Sequence, residues 1–260
     1  MGGGSRRPTS AFFSLEGERV QRYVWATEYC RDLRVIDLGC GYGYGSDYLA
    51  KLGGASVIGV DVDSDAIAFA ARSYRSPALS FVRADISCLG IASNTFDICV
   101  SFEVLEHLPN PGAYLAEARR ILTDGGSLLI STPNKLFTEM FYSNGRTTNR
   151  FHSKEYYPNE FIDLLTQYFE VRDYLVQFHT LDRLAIEKRA EYYRSLKLPK
   201  WIVELVPDWG KNLWLKLNGL APLRDYRGQW RDFAIKSMTS HVDKTYPVQI
   251  AVCRKGAAPG

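Results

Sequence analysis

A short apolar run, Leu33 to Leu38, opens into glycine at every second position from Gly39 to Gly45, and no other feature constrains the fold as tightly. Glycine permits positive φ and lets backbone approach a ligand closely. The run therefore reads as a buried strand feeding a ligand-binding turn. Upstream, Val20, Tyr23, Val24 and Thr27 recur at i, i+3, i+4 and i+7, the spacing of an amphipathic helix. Downstream the alternation continues. Ser56 to Val60 reads as a second strand ending at Asp61, and Ser64 is placed to cap a helix with the face Ile67, Ala70, Ala71 and Tyr74. Leu79 to Val82 and Phe96 to Phe102 are the third and fourth strands. Tyr114, Leu115, Ala118, Ile121 and Leu122 line a helix expected to stop at Gly125-Gly126, before a strand from Ser127 to Ser131. Phe161, Leu164, Leu165 and Tyr168 give another helix face, followed by strands at Val171 to Phe178 and Val248 to Cys253.

Strands alternating with helices in this way predict an α/β fold, a doubly wound sheet of seven mostly parallel strands. Ligands on such sheets sit at the carboxyl ends of the strands, near the switch point. The glycines, Asp61, Asp85 and Phe102-Glu103 all fall at strand ends and so converge on one crevice. Between Leu181 and Tyr246 the alternation stops. Four tryptophans, patchy helical periodicity and Pro199, Pro207 and Pro222 predict a helical insertion before the last strand. The expected division is a flexible leader over 1–14, a core domain over 15–180 plus 246–256, and an insertion over 181–245 that covers the crevice as a lid. A net charge of +3 is too mild for a dedicated nucleic-acid binder. With no apolar run of about 18 residues, no membrane span is expected. Arg6 stands where a myristoylation signal wants Ser or Thr. Five cysteines, odd in number and without metal spacing, suit reduced thiols in a cytoplasm.

Two nucleotide-like ligands compete for the glycine loop. The dinucleotide pattern G-x-G-x-x-G fails in every register, because Tyr44, Ser46 or Tyr48 takes the third glycine position. Asp37, just before the first glycine, would repel a pyrophosphate but tolerates a cationic ligand such as S-adenosylmethionine, which carries an ammonium and a sulfonium. Asp61, about twenty residues on, can accept hydrogen bonds from ribose hydroxyls. Asp85 is placed for an adenine amino group.

Val35-Ile-Asp-Leu-Gly-Cys-Gly-Tyr-Gly43, Gly59-Val-Asp61, Ala84-Asp85, Phe96-Asp97 and Leu122-Thr-Asp-Gly-Gly-Ser-Leu-Leu129 resemble the successive motifs of class I S-adenosylmethionine-dependent methyltransferases, a Rossmann-like family. The resemblance runs over residues 18 to 180 and the final strand. It implies that Asp37, Gly39, Gly41 and Gly43 flank the methionine part of the cofactor. It also implies that Asp61 and Val62 hold the ribose, Asp85 and Ile86 hold the adenine, and Phe102 borders the cofactor. Fold alone names no acceptor.

After the fourth strand comes Ser101-Phe-Glu-Val-Leu-Glu-His-Leu-Pro109. If this segment turns helically, Glu103, Glu106 and His107 share one face at the mouth where the methyl group is presented. Methyl transfer is an in-line displacement, so the protein positions the acceptor and removes a proton. His107 suits that base role near neutral pH, with Glu103 and His152 as further catalytic candidates. Glu103, Glu106, His107 and His152 together also suit a site for magnesium, manganese or zinc. Glu-x-x-Glu-His with a later His resembles the RNA 3′-terminal 2′-O-methyltransferases and the ubiquinone-biosynthesis O-methyltransferases.

Ile130-Ser-Thr-Pro-Asn-Lys135, Asn149-Arg-Phe-His152, Glu155-Tyr156 and Glu160-Phe-Ile-Asp-Leu-Leu165 resemble bacterial methyltransferases of glycan and specialised-metabolite pathways more closely. That resemblance implies a small-molecule acceptor, a sugar or glycosylated-metabolite hydroxyl. The alternatives are a metal-dependent RNA 2′-O-methyltransferase, an aminosugar N-methyltransferase and a non-catalytic cofactor-binding module. The RNA reading needs a basic groove, and residues 181–232 carry eleven Lys or Arg against seven Asp or Glu, a surplus of only four, which disfavours it. The expected partners are thus the small acceptor and at most a second copy of the chain.

Overall fold

The computed structural model describes residues 16–141, 151–179, 233–237 and 246–256. Helix α1 (Glu16–Cys30) leads into β1 (Arg34–Leu38), α2 (Tyr44–Leu52), β2 (Ser56–Asp61), α3 (Ser64–Ser73) and β3 (Leu79–Arg83). Strand β4 (Phe96–Phe102) passes through one 3-10 turn (Leu105–His107) into α4 (Pro111–Ile121), β5 (Leu122–Pro133) and α5 (Lys135–Phe141). Next come α6 (Pro158–Thr166), β6 (Glu170–His179), β7 (Phe233–Ser237) and β8 (Val248–Arg254).

The strands form one sheet in the order β3-β2-β1-β4-β5-β8-β6-β7. The five strands from β3 to β5 are parallel, while β8 runs antiparallel to both β5 and β6. Successive strands step outward in one direction from β1 to β3 and in the other from β4 to β5. The reversal between β1 and β4 is the switch point at which such sheets open a crevice.

Strand period two explains the core. Val35, Ile98, Val100 and Leu129 pack on one face with Tyr23 and Ala26 of α1 and Leu49 of α2. Their neighbours Ile36, Cys99, Leu128 and Ile130 pack on the other, with Leu115 and Ile121 of α4 and Phe161 of α6. Both faces of β1 and β4 are therefore covered, which is why these strands read as unbroken apolar runs.

All seven expected strands are present, and β7 is an eighth. It lies within the segment 181–245 read as a helical insertion: Phe233–Ser237 is extended, not helical, and pairs antiparallel with β6, whose outer edge would otherwise leave backbone groups unpaired. The remainder of that insertion and the leader over 1–14 lie outside the described residues. Three smaller expectations also change. Asp63, not Ser64, caps α3 by accepting from the backbone N–H groups of Asp65 and Ala66. Helix α4 ends at Ile121, and β5 already spans Gly125, which takes φ 79°. Helix α5 was not anticipated. Among the described residues no helix is long and apolar enough to cross a membrane.

Candidate functional site

On the β1–β2 side the chain builds a cradle. Gly39, Gly41 and Gly43 take φ of 80°, 53° and 82°, the left-handed region open to glycine. A Cβ on Gly43 would stand 2.5 Å from that of Ala70, and one on Gly45 would stand 2.1 Å from Cζ of the Tyr23 ring. At Gly41 it would meet nothing within 4 Å. The loop is thus wedged against the protein at its end and open at its centre.

Asp61 fixes that open point. Its Oδ2 accepts from the Gly41 N–H at 2.8 Å and its Oδ1 from the Asp63 N–H at 2.9 Å. Each carboxylate oxygen keeps a further lone pair for a hydroxyl. Val62 beside it is 64% exposed, an apolar surface at the crevice. Asp85 is exposed and turns its Oδ1 back to the Ser87 N–H at 2.8 Å, while the neighbouring Ile86 is buried. Phe102 is buried edge-on to Tyr23, with centroids 5.2 Å apart.

Asp37, expected to flank the methionine part, lies under the glycine loop. Its carboxyl is fully buried beneath the loop, accepting from the Ser46 hydroxyl at 2.7 Å and the Tyr23 hydroxyl at 3.3 Å. Burial pushes its pKa up to about 7, against the two hydrogen bonds and with a smaller push from Asp61. It braces the loop from below and stands near its own ionisation point.

Across the switch point the expected helical face does not form. Glu103 takes φ 58°, and only Leu105–His107 make a turn. The Ser131 hydroxyl donates to Glu103 Oε1 at 2.8 Å, which draws Glu103 toward β5. Glu106 is 1% exposed, its Oε2 accepting from the Thr132 hydroxyl at 2.9 Å, and burial holds its carboxyl well above the usual carboxylate range, helped by Glu103.

His107 Nδ1 donates to the Phe151 carbonyl at 2.9 Å, and its Nε2 lies 3.7 Å from Glu106 Oε1. His152 Nδ1 donates to Glu155 Oε1 at 2.8 Å. The two imidazoles meet edge to face, with centroids 4.9 Å apart. One ligand atom from each of Glu106, His107 and His152 lies within 4.8 Å of the others. Glu103, the fourth member of the set read from sequence, lies outside this group, its Oε1 accepting from Ser131.

Several residues escaped the sequence. Tyr23 and Ser46, which hold Asp37, read only as a helix face and a loop residue. Glu155, three residues beyond His152, is the missed acid of that pair. Arg22 is 2% exposed; it donates to Glu18 at 3.2 Å and to Gln177, while its Nε has no partner. The only signal for it was Glu18 four residues earlier on the same helix. A depression of about 410 Å³ between α3 and β3, lined by Tyr74, Arg75, Pro77 and Phe81 among others, lies on the outer flank and holds none of the predicted residues.

A family model described as a methyltransferase domain matches residues 36–130, the stretch that holds the loop, its carboxylates and Glu103 to His107. A protein of Mycolicibacterium smegmatis named as a probable S-adenosylmethionine-dependent methyltransferase is 32% identical over 189 residues, covering 69% of this chain and 71% of that relative. A ubiquinone biosynthesis O-methyltransferase of Parvibaculum lavamentivorans is 33% identical over 135 residues, covering 50% of this chain and 49% of its own length, so the chain matches about half of it. Among solved structures, the cyclase SpnF superposes with a TM-score of 0.59 at 20% identity, covering 93% of this chain and 82% of that one. That likeness shows the fold alone.

Proposed function

Because this chain belongs to the class I S-adenosylmethionine-dependent methyltransferases, we propose that it methylates a hydroxyl of a small molecule, a sugar or a glycosylated metabolite. The bound cofactor supplies an activated methyl group on a sulfonium. The residues present suit it: open space at Gly41, the doubly anchored Asp61, exposed Val62 and Asp85, and buried Ile86 and Phe102. Asp61 and Val62 hold the ribose, and Asp85 and Ile86 the adenine. Gly39, Gly41 and Gly43 border the methionine part, with Asp37 bracing them. Arg22, a buried cation on α1, suits the carboxylate of that part.

The observation that carries hydroxyl transfer is the imidazole pair at the ends of β4 and β5, across the switch point from the loop. With Nδ1 of His107 spent on a carbonyl, its Nε2 carries the lone pair that takes a proton from an approaching hydroxyl. His152 stands beside it, and Glu103 orients the acceptor. The O-methyltransferase relatives favour oxygen over nitrogen. Metal-assisted transfer is a second reading of the same site, favoured by the convergence of Glu106, His107 and His152.

A screen of labelled methyl transfer onto free sugars, glycosylated metabolites, aminosugars and short RNAs tests the proposal. Transfer to a sugar hydroxyl, reduced at least about 30-fold in His107→Ala with cofactor affinity unchanged, is the expected result. Transfer confined to an amine or to RNA would overturn it.

A further inference from the structure

Helix α1 and the end of β4 each contribute a carboxylate to one charged group. Glu18 Oε1 accepts from Arg22 Nη1 at 3.2 Å, and Glu103 Oε1 accepts from the Ser131 hydroxyl at 2.8 Å. Among the described residues, the second oxygen of each acid has no partner. Burial pushes the Glu18 carboxyl above the usual carboxylate range, against the pull of Arg22 and with a further push from Glu103. Burial likewise opposes the Arg22 charge, which Glu103 and then Glu18 restore. The three side chains therefore stand together, although two come from α1 and one from β4. Gln177 donates to the Glu18 carbonyl at 2.8 Å, which fixes this turn of α1 on β6. Arg22 is 2% exposed and its Nε has no partner, so a buried donor of the same group remains for an anionic ligand. With the methionine carboxylate on that Nε, Glu18 stands beside the methyl donor.

We infer, on the footing of the proposed sugar acceptor, that Glu18 and Glu103 form a clamp that selects it. Each open oxygen accepts from a hydroxyl beside the one that is methylated, and Arg22 offsets the repulsion between the two acids. Glu18 is then a specificity-determining residue supplied by α1, outside the segments that carry the imidazoles. The donor chemistry follows from what is left open. A carboxylate oxygen only accepts, and one is open on each acid, which matches two separate O–H groups of one ring. An acceptor without those hydroxyls leaves two shielded carboxylates facing each other without donors, and a site built to bond a hydroxyl rejects such an analogue strongly.

The test uses the full chain, a sugar that accepts labelled methyl, and deoxy forms of that sugar lacking one hydroxyl beside the methylated position. Glu18→Gln should raise KM for the sugar about 10- to 100-fold, the worth of a hydrogen bond to a charged group. Its kcat should fall less than about threefold, and S-adenosylmethionine affinity by calorimetry should stay within about threefold. One deoxy form should lose a similar factor with the unsubstituted protein, and Glu18→Gln should add at most about twofold to that loss. Fully additive losses for every deoxy form would overturn the clamp, as would a fall in cofactor affinity equal to the rise in KM. An aminosugar preferred over its parent sugar, and no longer preferred by Glu18→Gln, would overturn the choice of hydroxyls. The deoxy series on the unsubstituted protein remains decisive should Glu18→Gln not fold, since equal KM throughout the series would sink the clamp. Sugar methylation with KM unmoved in Glu18→Gln would overturn the clamp and leave the proposed function standing. Transfer confined to an amine or to RNA would overturn both.

Discussion

The two halves of the crevice are built by different means. On the β1–β2 side the contacts span shorter stretches of chain: Asp61 holds the Gly41 N–H across 20 residues, and Tyr23 and Ser46 hold Asp37 across 14 and 9. On the β4–β5 side they span longer ones, 28 residues for Glu103 with Ser131, 26 for Glu106 with Thr132, and 44 for the His107 ring with the Phe151 carbonyl. The first half is a pre-shaped cradle for a ligand shared by a large family. The second is a meeting of side chains from separate segments, free to vary with the acceptor.

If the cradle is over-determined, disturbing its centre should have the largest effects. Asp37 is the carboxyl buried at that centre. An acid whose folded pKa lies above its unfolded value binds its proton more tightly in the folded state. Its contribution is therefore fully present below about pH 4 and lost as pH rises toward 7. A shift from 3.8 to about 7 corresponds to on the order of 4 kcal/mol. Cofactor-free protein should lose stability across that window in denaturant titrations. Asp37→Asn should flatten the slope, and saturating S-adenosylmethionine, a cation that favours the carboxylate, should shrink it. A pH-independent midpoint would show that Asp37 is not titrating in place.

Next in size is Gly45→Ala, whose added methyl overlaps the Tyr23 ring. It should cost about 3 kcal/mol in thermal or urea unfolding. Asp61→Ala should follow, weakening S-adenosylmethionine about 100-fold by calorimetry, about 2.7 kcal/mol, while the protein stays folded. Retained affinity in Asp61→Ala would break the claim that this half anchors the donor.

The same contrast explains what the sequence disclosed. Strand-end glycines and carboxylates are read directly, because β1 and β2 are unbroken apolar runs and the turn residues are set by backbone geometry. The position of Asp61 followed from that alone. Asp37 did not, because its burial depends on Tyr23 crossing from α1. Glu103 was misplaced for a similar reason: a helical continuation of Phe102 was the local expectation, and Ser131, 28 residues on, overrides it. Glu155 and Thr132 matter only through partners that no periodicity predicts. Strand β7 was hidden because Phe233–Ser237 is short, and its extended form is decided by the open edge of β6.

The smallest effect is the sharpest test of whether the two halves are separable. The Ser131 hydroxyl donates to Glu103 Oε1 at 2.8 Å and accepts from the Glu103 N–H at 3.1 Å, while Glu103 sits at φ 58°. A non-glycine residue held there is strained, and its neighbours must over-determine it. Ser131→Ala removes two of those restraints but leaves the Ser131 carbonyl, which also accepts from the Glu103 N–H at 3.2 Å. It should therefore lower stability by only about 1 kcal/mol. Calorimetry should find S-adenosylmethionine affinity within about twofold of the unsubstituted protein, while single-turnover methyl transfer slows about tenfold as Glu103 loses its orientation. A loss of cofactor affinity approaching that of Asp61→Ala would mean that the end of β4 belongs to the cradle, and that the crevice is one site rather than two.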